Sequence, residues 1–487
     1  MTRFATIGML ALTLGGCAVG PNFRAPAPPA VSGYTPEPLP PATVSAPALG
    51  GESQVFRYGQ AVASRWWVGF GSSALNELED RALRANPDLE SAKAALRVAR
   101  ANYLAQRGGL FPTVDAGFQA LRQRASAVPS PPLADNSTDF VLYTPSLNLS
   151  YTFDLFGGVR RSVEGARAQA EAQRYQTQGA YLTVTTNVAN AAISYAGLNE
   201  QIAATGKVID ADRRFLDITR LQQKLGSASG ADVAAAQAAL GQAETALPTL
   251  IKQRDQQRDL LAALTGEFPS ARFDLPELTR LRLPAELPVS LPSQLVGQRP
   301  DIRAAEANLH YAYAQVGVSI AARLPNFTIN AATGGSSTTL GTILSGGNIF
   351  WSIAGNILQP IFDGGTLLQR QRAARAGLDQ ARAQYRSVVL SAMQNVADAL
   401  QAVRSDADAL RAAVVAASSA ERALGIAREQ ARLGQVSGVA TLALEANYLQ
   451  AQSTLAQARA QRFSDTVSLY QALGGGWDIT PVPNGQS

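Results

Sequence analysis

Apolar residues recur along this chain with two different periods. Tyr181, Val188, Tyr195, Ile202, Ile209 and Leu216 are seven apart, and Val389, Val396, Val403, Leu410, Ala417 and Leu424 repeat that spacing 208 positions later. A heptad sustained over five steps predicts a coiled-coil seam, and the alanines between its members let neighbouring helices approach closely. Shorter heptads follow each run: Val233, Leu240, Leu247 and Leu261, interrupted by Arg254, and then Leu442, Leu449, Ala456, Phe463 and Tyr470. No proline falls between Ser146 and Leu247 or between Ile361 and Thr480, as an unbroken helix requires. A helix over 159–225 would be about 100 Å long at about 1.5 Å per residue, a rod that no compact domain needs.

Between the helical stretches the period drops to two. Val114, Ala116, Phe118 and Ala120 alternate with Asp115, Gly117 and Gln119, and Leu147, Leu149, Tyr151 and Phe153 with Asn148, Ser150 and Thr152. Phe327, Ile329 and Ala331 alternate with Thr328, Asn330 and Ala332, and Ile349, Trp351, Ile353 and Ile357 face away from Ser352, Ala354 and Asn356. No charge occurs from Leu324 to Phe362. Strands of about ten residues, apolar outward and polar inward, are the pattern of a transmembrane β-barrel; a small water-soluble sandwich is the other reading. Glycine, serine and threonine interrupt every apolar run of about 18 residues, which excludes a transmembrane helix. Four strands cannot close a barrel and open edges do not survive in lipid, so further strands are expected from other copies of the chain.

Five landmarks return in order. NPDL at Asn86 to Leu89 returns as RPDI at Arg299 to Ile302, and 25 residues beyond each proline stands another, Pro112 and Pro325. FDLFGG at Phe153 to Gly158 is echoed by IFDGG at Ile361 to Gly365, and Asn187-Val188-Ala189 by Asn395-Val396-Ala397. LGSASG at Leu225 to Gly230 recurs as LGQVSG at Leu433 to Gly438. Offsets of 207 to 213 make the chain two copies of one unit of about 210 residues. The expected organisation is a signal peptide over 1–16, a lipidated, proline-rich extended tether over 17–64, a first repeat over 65–266, a linker over 267–291, a second repeat over 292–475 and a tail over 476–487. Strands are expected at about 113–124, 140–153, 326–334 and 349–362, and long helices at about 159–225, 231–265, 366–433 and 438–473.

Composition narrows the chemistry. Charged residues make up 16% of the 487 and hydrophobic ones 46%, much of it alanine, which fits neither a disordered chain nor a helical transporter. The net charge of +5 is spread along the chain rather than gathered into the stripe of a nucleic-acid binder. One cysteine excludes a disulfide framework and a Cys-based zinc site, and one histidine, His310, removes most metal and general-base chemistry. The cysteine instead ends a leader: Arg3, an apolar stretch from Ile7 to Leu14, then Gly15-Gly16 before Cys17. That stretch is an export signal too short to span a bilayer. LGGC at Leu14 to Cys17 resembles the bacterial lipobox, in which the thiol takes a diacylglyceryl group; an ordinary export signal with an incidental cysteine is the alternative. Ala18 replaces the aspartate that commonly retains such lipoproteins in the inner membrane, so the outer membrane of a Gram-negative cell is the expected address. Nine prolines between Pro21 and Pro47 should behave as an extended tether.

The lipobox followed by CAVGPNFRAP, the NPDL and RPDI helix starts, the paired hairpins, FDLFGG and FDGG, the GxxSG turns and the closing LYQALGGGW resemble the outer-membrane factor family. These are the TolC and OprM type exit ducts of tripartite efflux and type I secretion systems; the lipoprotein beginning resembles the NodT-type branch that partners resistance-nodulation-division pumps. The resemblance implies a mainly α protein with a transmembrane β-barrel portion. Three chains would share one twelve-stranded barrel in the outer membrane, four strands from each, and extend a long coiled-coil tunnel into the periplasm. It also implies a periplasmic adaptor (membrane fusion) protein and an inner-membrane pump as partners. Cargo passes unaltered in such ducts, with no catalytic residue, metal or cofactor beyond an N-acyl and S-diacylglycerol lipid on Cys17.

In the family the two helix-to-helix turns lie at the periplasmic tip, where adaptor hairpins dock. By position these are Gly226 and Ser229 in the first copy and Gly434 and Ser437 in the second. Glycine after Leu225 and Leu433 can take the left-handed conformation that ends a helix, and the serine can cap the next one; a tight turn without docking explains the same residues. The family often narrows the tunnel just inside the second turn with an apolar residue and, four residues on, an aspartate. Those positions fall on Val439 and Ala443, so the carboxylate is missing. Glu445 is the nearest acid and Asp232 begins the matching helix of the first copy. A ring of three carboxylates would concentrate cations, whereas a helix N-terminus favours Asp232 with no such ring.

Other motifs carry little. Asp363-Gly364-Gly365 lacks the downstream lysine of a phosphate loop and reads as a turn, and Gly474-Gly475-Gly476 reads as a helix exit. Trp66, Trp67 and Trp477 fit either a belt around the tunnel or core packing. Within the duct reading, type I protein secretion is the alternative to drug efflux. Two other classes stay open: a lipid-anchored periplasmic structural coiled-coil protein, which wastes the alternating strands, and a lipoprotein enzyme such as a wall hydrolase, whose catalytic constellation is not visible.

Overall fold

A computed structural model describes residues 18–124, 139–436 and 438–476, with the side chains of 438–440 left aside. Cys17, Ser437, Trp477 and the side chain of Val439 therefore lie outside the described residues. Elements run in the order β1 (Val55–Tyr58), α1 (Ser73–Ala85), α2 (Pro87–Gly108), β2 (Thr113–Arg124), β3 (Asp139–Phe153), α3 (Gly158–Lys224) and α4 (Gly230–Leu264). They continue with β4 (Glu286–Val289), α5 (Pro292–Gln298), α6 (Pro300–Ala321), β5 (Asn326–Gly335), β6 (Ile349–Leu358), α7 (Thr366–Arg432) and α8 (Gly438–Ala472). The duplication is metrical: α2 and α6 have 22 residues each, α3 and α7 have 67, and α4 and α8 have 35. Among the described residues no helix is long and apolar enough to cross a membrane.

Packing divides the chain into two compact units. The first draws on Met1–Pro26, Ala95–Gln173 and Ala304–Tyr385 and holds an antiparallel sheet in the order β2-β3-β5-β6. Its register aligns the period-two pattern of all four strands. Val114 stands opposite Leu149, Leu149 opposite Ala331 and Ala331 opposite Ile353, while the next row is Ala116, Leu147, Thr333 and Trp351. The intervening row is Asp115, Asn148, Ala332 and Ser352, so one face is apolar and the other largely polar. The apolar face is uncovered within the chain, with Trp351, Ile353 and Ile357 about 70% exposed. The last strand stops at Leu358, short of the expected residue 362: Pro360 has no N–H for the ladder, so apolar Ile361 and Phe362 do not extend it.

The repeated FD motifs are caps. Asp154 accepts from the backbone N–H groups of Val159 (2.9 Å) and Arg160 (2.8 Å) at the start of α3. Asp363 accepts from Gly365 (2.8 Å) and Leu367 (2.7 Å) at the start of α7. Each carboxylate thus satisfies donors that have no intrahelical partner.

The second unit draws on Ala27–Ala94, Arg174–Arg303 and Arg386–Ser487. The seam of α7 is buried throughout, with Val396, Val403 and Leu410 at 0% exposure. In α3 Val188, Ile209 and Leu216 are buried, and Tyr181, Tyr195 and Ile202 half-buried. NPDL and RPDI share one role here. Asn86 donates to the carbonyl of Leu264 (2.9 Å) at the end of α4, and Arg299 donates to the carbonyl of Ala472 (2.7 Å) at the end of α8. The residue before each proline therefore ties off the last turn of the 35-residue helix of its own copy. Trp66 and Trp67 belong to the core, Trp66 lying 5.4 Å from the ring of Tyr470.

The tether and linker are more structured than their composition predicts. β1 pairs in parallel with β4, so Val55 meets Glu286 and Tyr58 meets Val289. Proline removes donors but not carbonyls, and those of Pro41 and Pro284 accept from the Phe56 N–H (3.0 Å) and the Gln54 amide (3.1 Å). The buried guanidinium of Arg462 on α8 donates to the carbonyls of Val403 (2.6 Å) and Glu52 (3.3 Å) and to the hydroxyl of Thr43 (3.2 Å). Replacing Arg462 with Ala should cost about 1.5–3 kcal/mol, because it removes the charged donor that ties Thr43 and Glu52 to α8. Protease should then cut first within 27–64 of the tether, and Arg462→Lys should rescue only in part because an ammonium cannot reproduce the planar fork. An unchanged melting temperature with an uncut tether would contradict this account.

Candidate functional site

The two helix-to-helix turns are built identically. After α3, Gly226 has φ 73°, its N–H donates to Gln223 (3.0 Å), and the Ser227 N–H donates to Gln222 (2.8 Å). After α7, Gly434 has φ 72°, its N–H donates to Ala431 (3.0 Å), and the Gln435 N–H donates to Gln430 (2.9 Å). Both are left-handed terminations in which the last carbonyls find donors beyond the helix. A β-carbon at either glycine would meet nothing within 4 Å, so the backbone angle alone demands glycine.

Ser229 caps α4 as expected. Its hydroxyl oxygen accepts from the Asp232 N–H (3.2 Å), while the Asp232 carboxylate accepts from the Ser229 N–H and hydroxyl (2.7 Å each). These bonds, the backbone one first, hold the Asp232 carboxyl below the usual aspartate range. Asp232 is therefore engaged at the helix start. Ser437 falls outside the described residues; Ala443 is exposed on α8.

Glu445 departs from the expectation of a free acid near a constriction. Its side chain is 5% exposed and salt-bridged to Arg428 of α7. Its other neighbour is Asp212 of α3, which is also buried. Burial first, then the Glu445 carboxylate, push the Asp212 carboxyl up to about 7, with Arg428 acting in the opposite sense. Three helices thus meet at two carboxyl groups and one guanidinium. Neither Asp212 nor Arg428 is marked by any motif, but Asp212 lies three residues after Ile209 of the seam, the other core position of a heptad. An acid there is a detectable irregularity.

Arg428 and Glu445 of this cluster also line a groove of about 890 Å³ that residues of both turns border. Phe215, Ile218 and Val436 give it apolar wall, Arg214 and Arg432 a basic one, and Gly434 belongs to its lining. Among the described residues no group of His, Cys, Asp or Glu is arranged to hold a metal ion. His310 bonds Glu164 (2.8 Å) and stacks on Phe23 (4.3 Å) in the first unit.

Comparison with known proteins agrees along nearly the whole chain. A family profile described as "Outer membrane efflux protein" matches residues 78–267 and 291–475. The chain is 30% identical over 474 residues to the antibiotic efflux pump outer membrane protein ArpC of Pseudomonas putida, covering 97% of this chain and 95% of that one. It is 29% identical over 475 residues to the outer membrane protein OprJ of Pseudomonas aeruginosa, with 96% and 95% covered. Its fold superposes on the outer-membrane channel OprN with a TM-score of 0.84 at 26% identity, covering 95% of this chain and all of that one.

The Asp212 cluster sets a pH dependence. A carboxyl whose folded pKa is raised favours the folded state fully below its unfolded value near 3.8 and loses that contribution as pH rises through about 7. Amide protection around 209–216 and 441–449, measured relative to the intrinsic exchange rate at each pH, should therefore fall between pH 5.5 and pH 8. Asp212→Asn, which stays neutral, should flatten the dependence, and equal profiles for the two proteins would rule out this source.

Proposed function

The chain belongs to the outer membrane efflux protein family, and from that premise we propose that it works as a homotrimeric exit duct, with a shared outer-membrane barrel continued by periplasmic helices. The observation that carries this reading is the four-stranded sheet, apolar on one face, largely polar on the other, with β2 and β6 as its edges. An unpaired backbone group in hydrocarbon costs several kcal/mol. Edge β6 of one copy therefore joins edge β2 of the next, and three copies close a ring of twelve strands.

Cargo consists of drugs or other small molecules, passed from an inner-membrane pump of the resistance-nodulation-division type through a periplasmic adaptor. No residue acts chemically on it. The adaptor docks in the groove at the turns, using the surface around Gly226, Ser229, Gly434 and Ser437. Val439 and Ala443 narrow the tunnel as an apolar ring; Asp232 and Glu445 have other partners, so this reading includes no carboxylate ring. Cys17 carries the acyl chains, for which LGGC and Ala18 are the support.

Cross-linking of outer membranes should stop at trimer; a ladder ending at monomer or dimer would overturn the shared barrel. Gly434→Val should cost at least about 1 kcal/mol at the turn and lower efflux while trimer levels stay normal. Val439→Asp should make the duct admit large antibiotics, because three like charges repel at a closed apolar ring. Wild-type efflux in the first variant and unchanged exclusion in the second would show that the docking end lies elsewhere in the chain.

A further inference from the structure

On the apolar face of the β2-β3-β5-β6 sheet the described residues carry charge at one place only. The rows of that face run from Phe153 with Phe327 and Ile357, through Leu149 and Leu147, to Ala120 with Tyr143. The next two rows are Arg122 with Val141 and Arg124 with Asp139. Even-numbered residues of β2 and odd-numbered residues of β3 share this face, so both guanidiniums and the carboxylate point the same way as the apolar side chains below them. The β5–β6 connection, 336–348, adds no charge.

The spacing places this cluster in depth. Ten residues separate Tyr143 from Phe153. At about 3.4 Å per residue and a tilt near 40°, they rise about 26 Å, close to the apolar band of a membrane barrel. Arg122 and Arg124 stand one and two rows beyond it, about 5 and 10 Å higher, where the polar headgroup layer begins. Asp139 clasps Arg122 through Nε (3.3 Å) and Nη2 (3.1 Å), which fixes the direction of a guanidinium whose side chain stays 74% exposed. Two guanidiniums against one carboxylate leave an excess of one positive charge at the rim.

Resting on the barrel reading above, we infer that Arg122 and Arg124 bind the phosphate of an anionic lipid headgroup in the outer leaflet. Arginine suits this partner because its planar fork meets phosphate oxygens in pairs. A guanidinium on the lipid side of a barrel is costly at the midplane and nearly free at the interface, which is the depth both residues occupy. A free phosphate ion would supply the same charge, but the adjoining apolar rows favour a ligand with acyl chains.

The test is lipid retained by the detergent-extracted full-length assembly, counted by mass spectrometry. Wild type should keep bisphosphorylated lipid A through washes that remove its dephosphorylated form and phosphatidylcholine. The double variant R122Q/R124Q should retain at least about fivefold less at normal assembly, and D139N about twofold more, because it removes the competing carboxylate. Equal retention by wild type and R122Q/R124Q overturns the inference. So does a loss in D139N equal to that in R122Q/R124Q, the pattern of a cross-strand clasp alone. Equal binding of dephosphorylated lipid A, or full displacement by millimolar inorganic phosphate, overturns it as well. If wild type in vesicles leaves strands β2 and β3 open to protease, the barrel reading itself has failed, and the inference with it.

Discussion

Everything in this molecule follows from a sheet that cannot remain alone in water. Four strands in one register gather their apolar side chains on a single face, and among the described residues β2 and β6 stand at its two edges. In the proposed duct, lipid covers the apolar face and other copies of the chain pair the edges. The two 67-residue helices begin shortly after strands of this sheet and are capped there by Asp154 and Asp363.

In the second unit the helices share one large core around Trp67, Val188, Val403 and Phe463, and smaller clusters continue along their seams. Alanines and heptad residues fill the seams, and two acids at seam positions, one buried and one half-buried, are exceptions. Asp212 lies three residues beyond Ile209, and Asp406 three beyond Val403. Each is pushed up to about 7, burial being the largest cause and an acid on α8 the next, Glu445 for the first and Asp465 for the second. Each also has an arginine nearby, Arg428 and Arg462. Polar groups at seam positions weaken packing yet select one register among several that alanine-rich helices allow.

What the sequence made legible was whatever repeats at short range. The two periods located the strands and helices because a side chain's facing depends only on its immediate neighbours. Gly226 and Gly434 were readable for the same reason, since a turn's dihedral angles are local. Asp232 was legible as a cap, whereas Glu445 was not legible as a buried partner: its environment comes from α3 and α7, both distant in sequence. The proline-rich tether misled in the same way. Its composition describes an isolated strand, but Thr43 is fixed by Arg462, 419 residues away. Pro360 shows the reverse, a local rule that ends β6 where hydrophobicity alone continued it.

The equal arms of the two copies constrain how this protein can change over time. Their residues have diverged widely, yet 22, 67 and 35 residues recur in the same helices of both copies. One inserted residue turns everything beyond it by about 100° and advances it by about 1.5 Å, moving a seam onto solvent. Only insertions of about seven residues preserve the facing, and one made in a single copy would still leave the matched helices of the two copies unequal in length. Substitutions can therefore accumulate singly, while length variants are viable only as matched pairs, so the gene should tolerate drift in spelling and resist drift in measure.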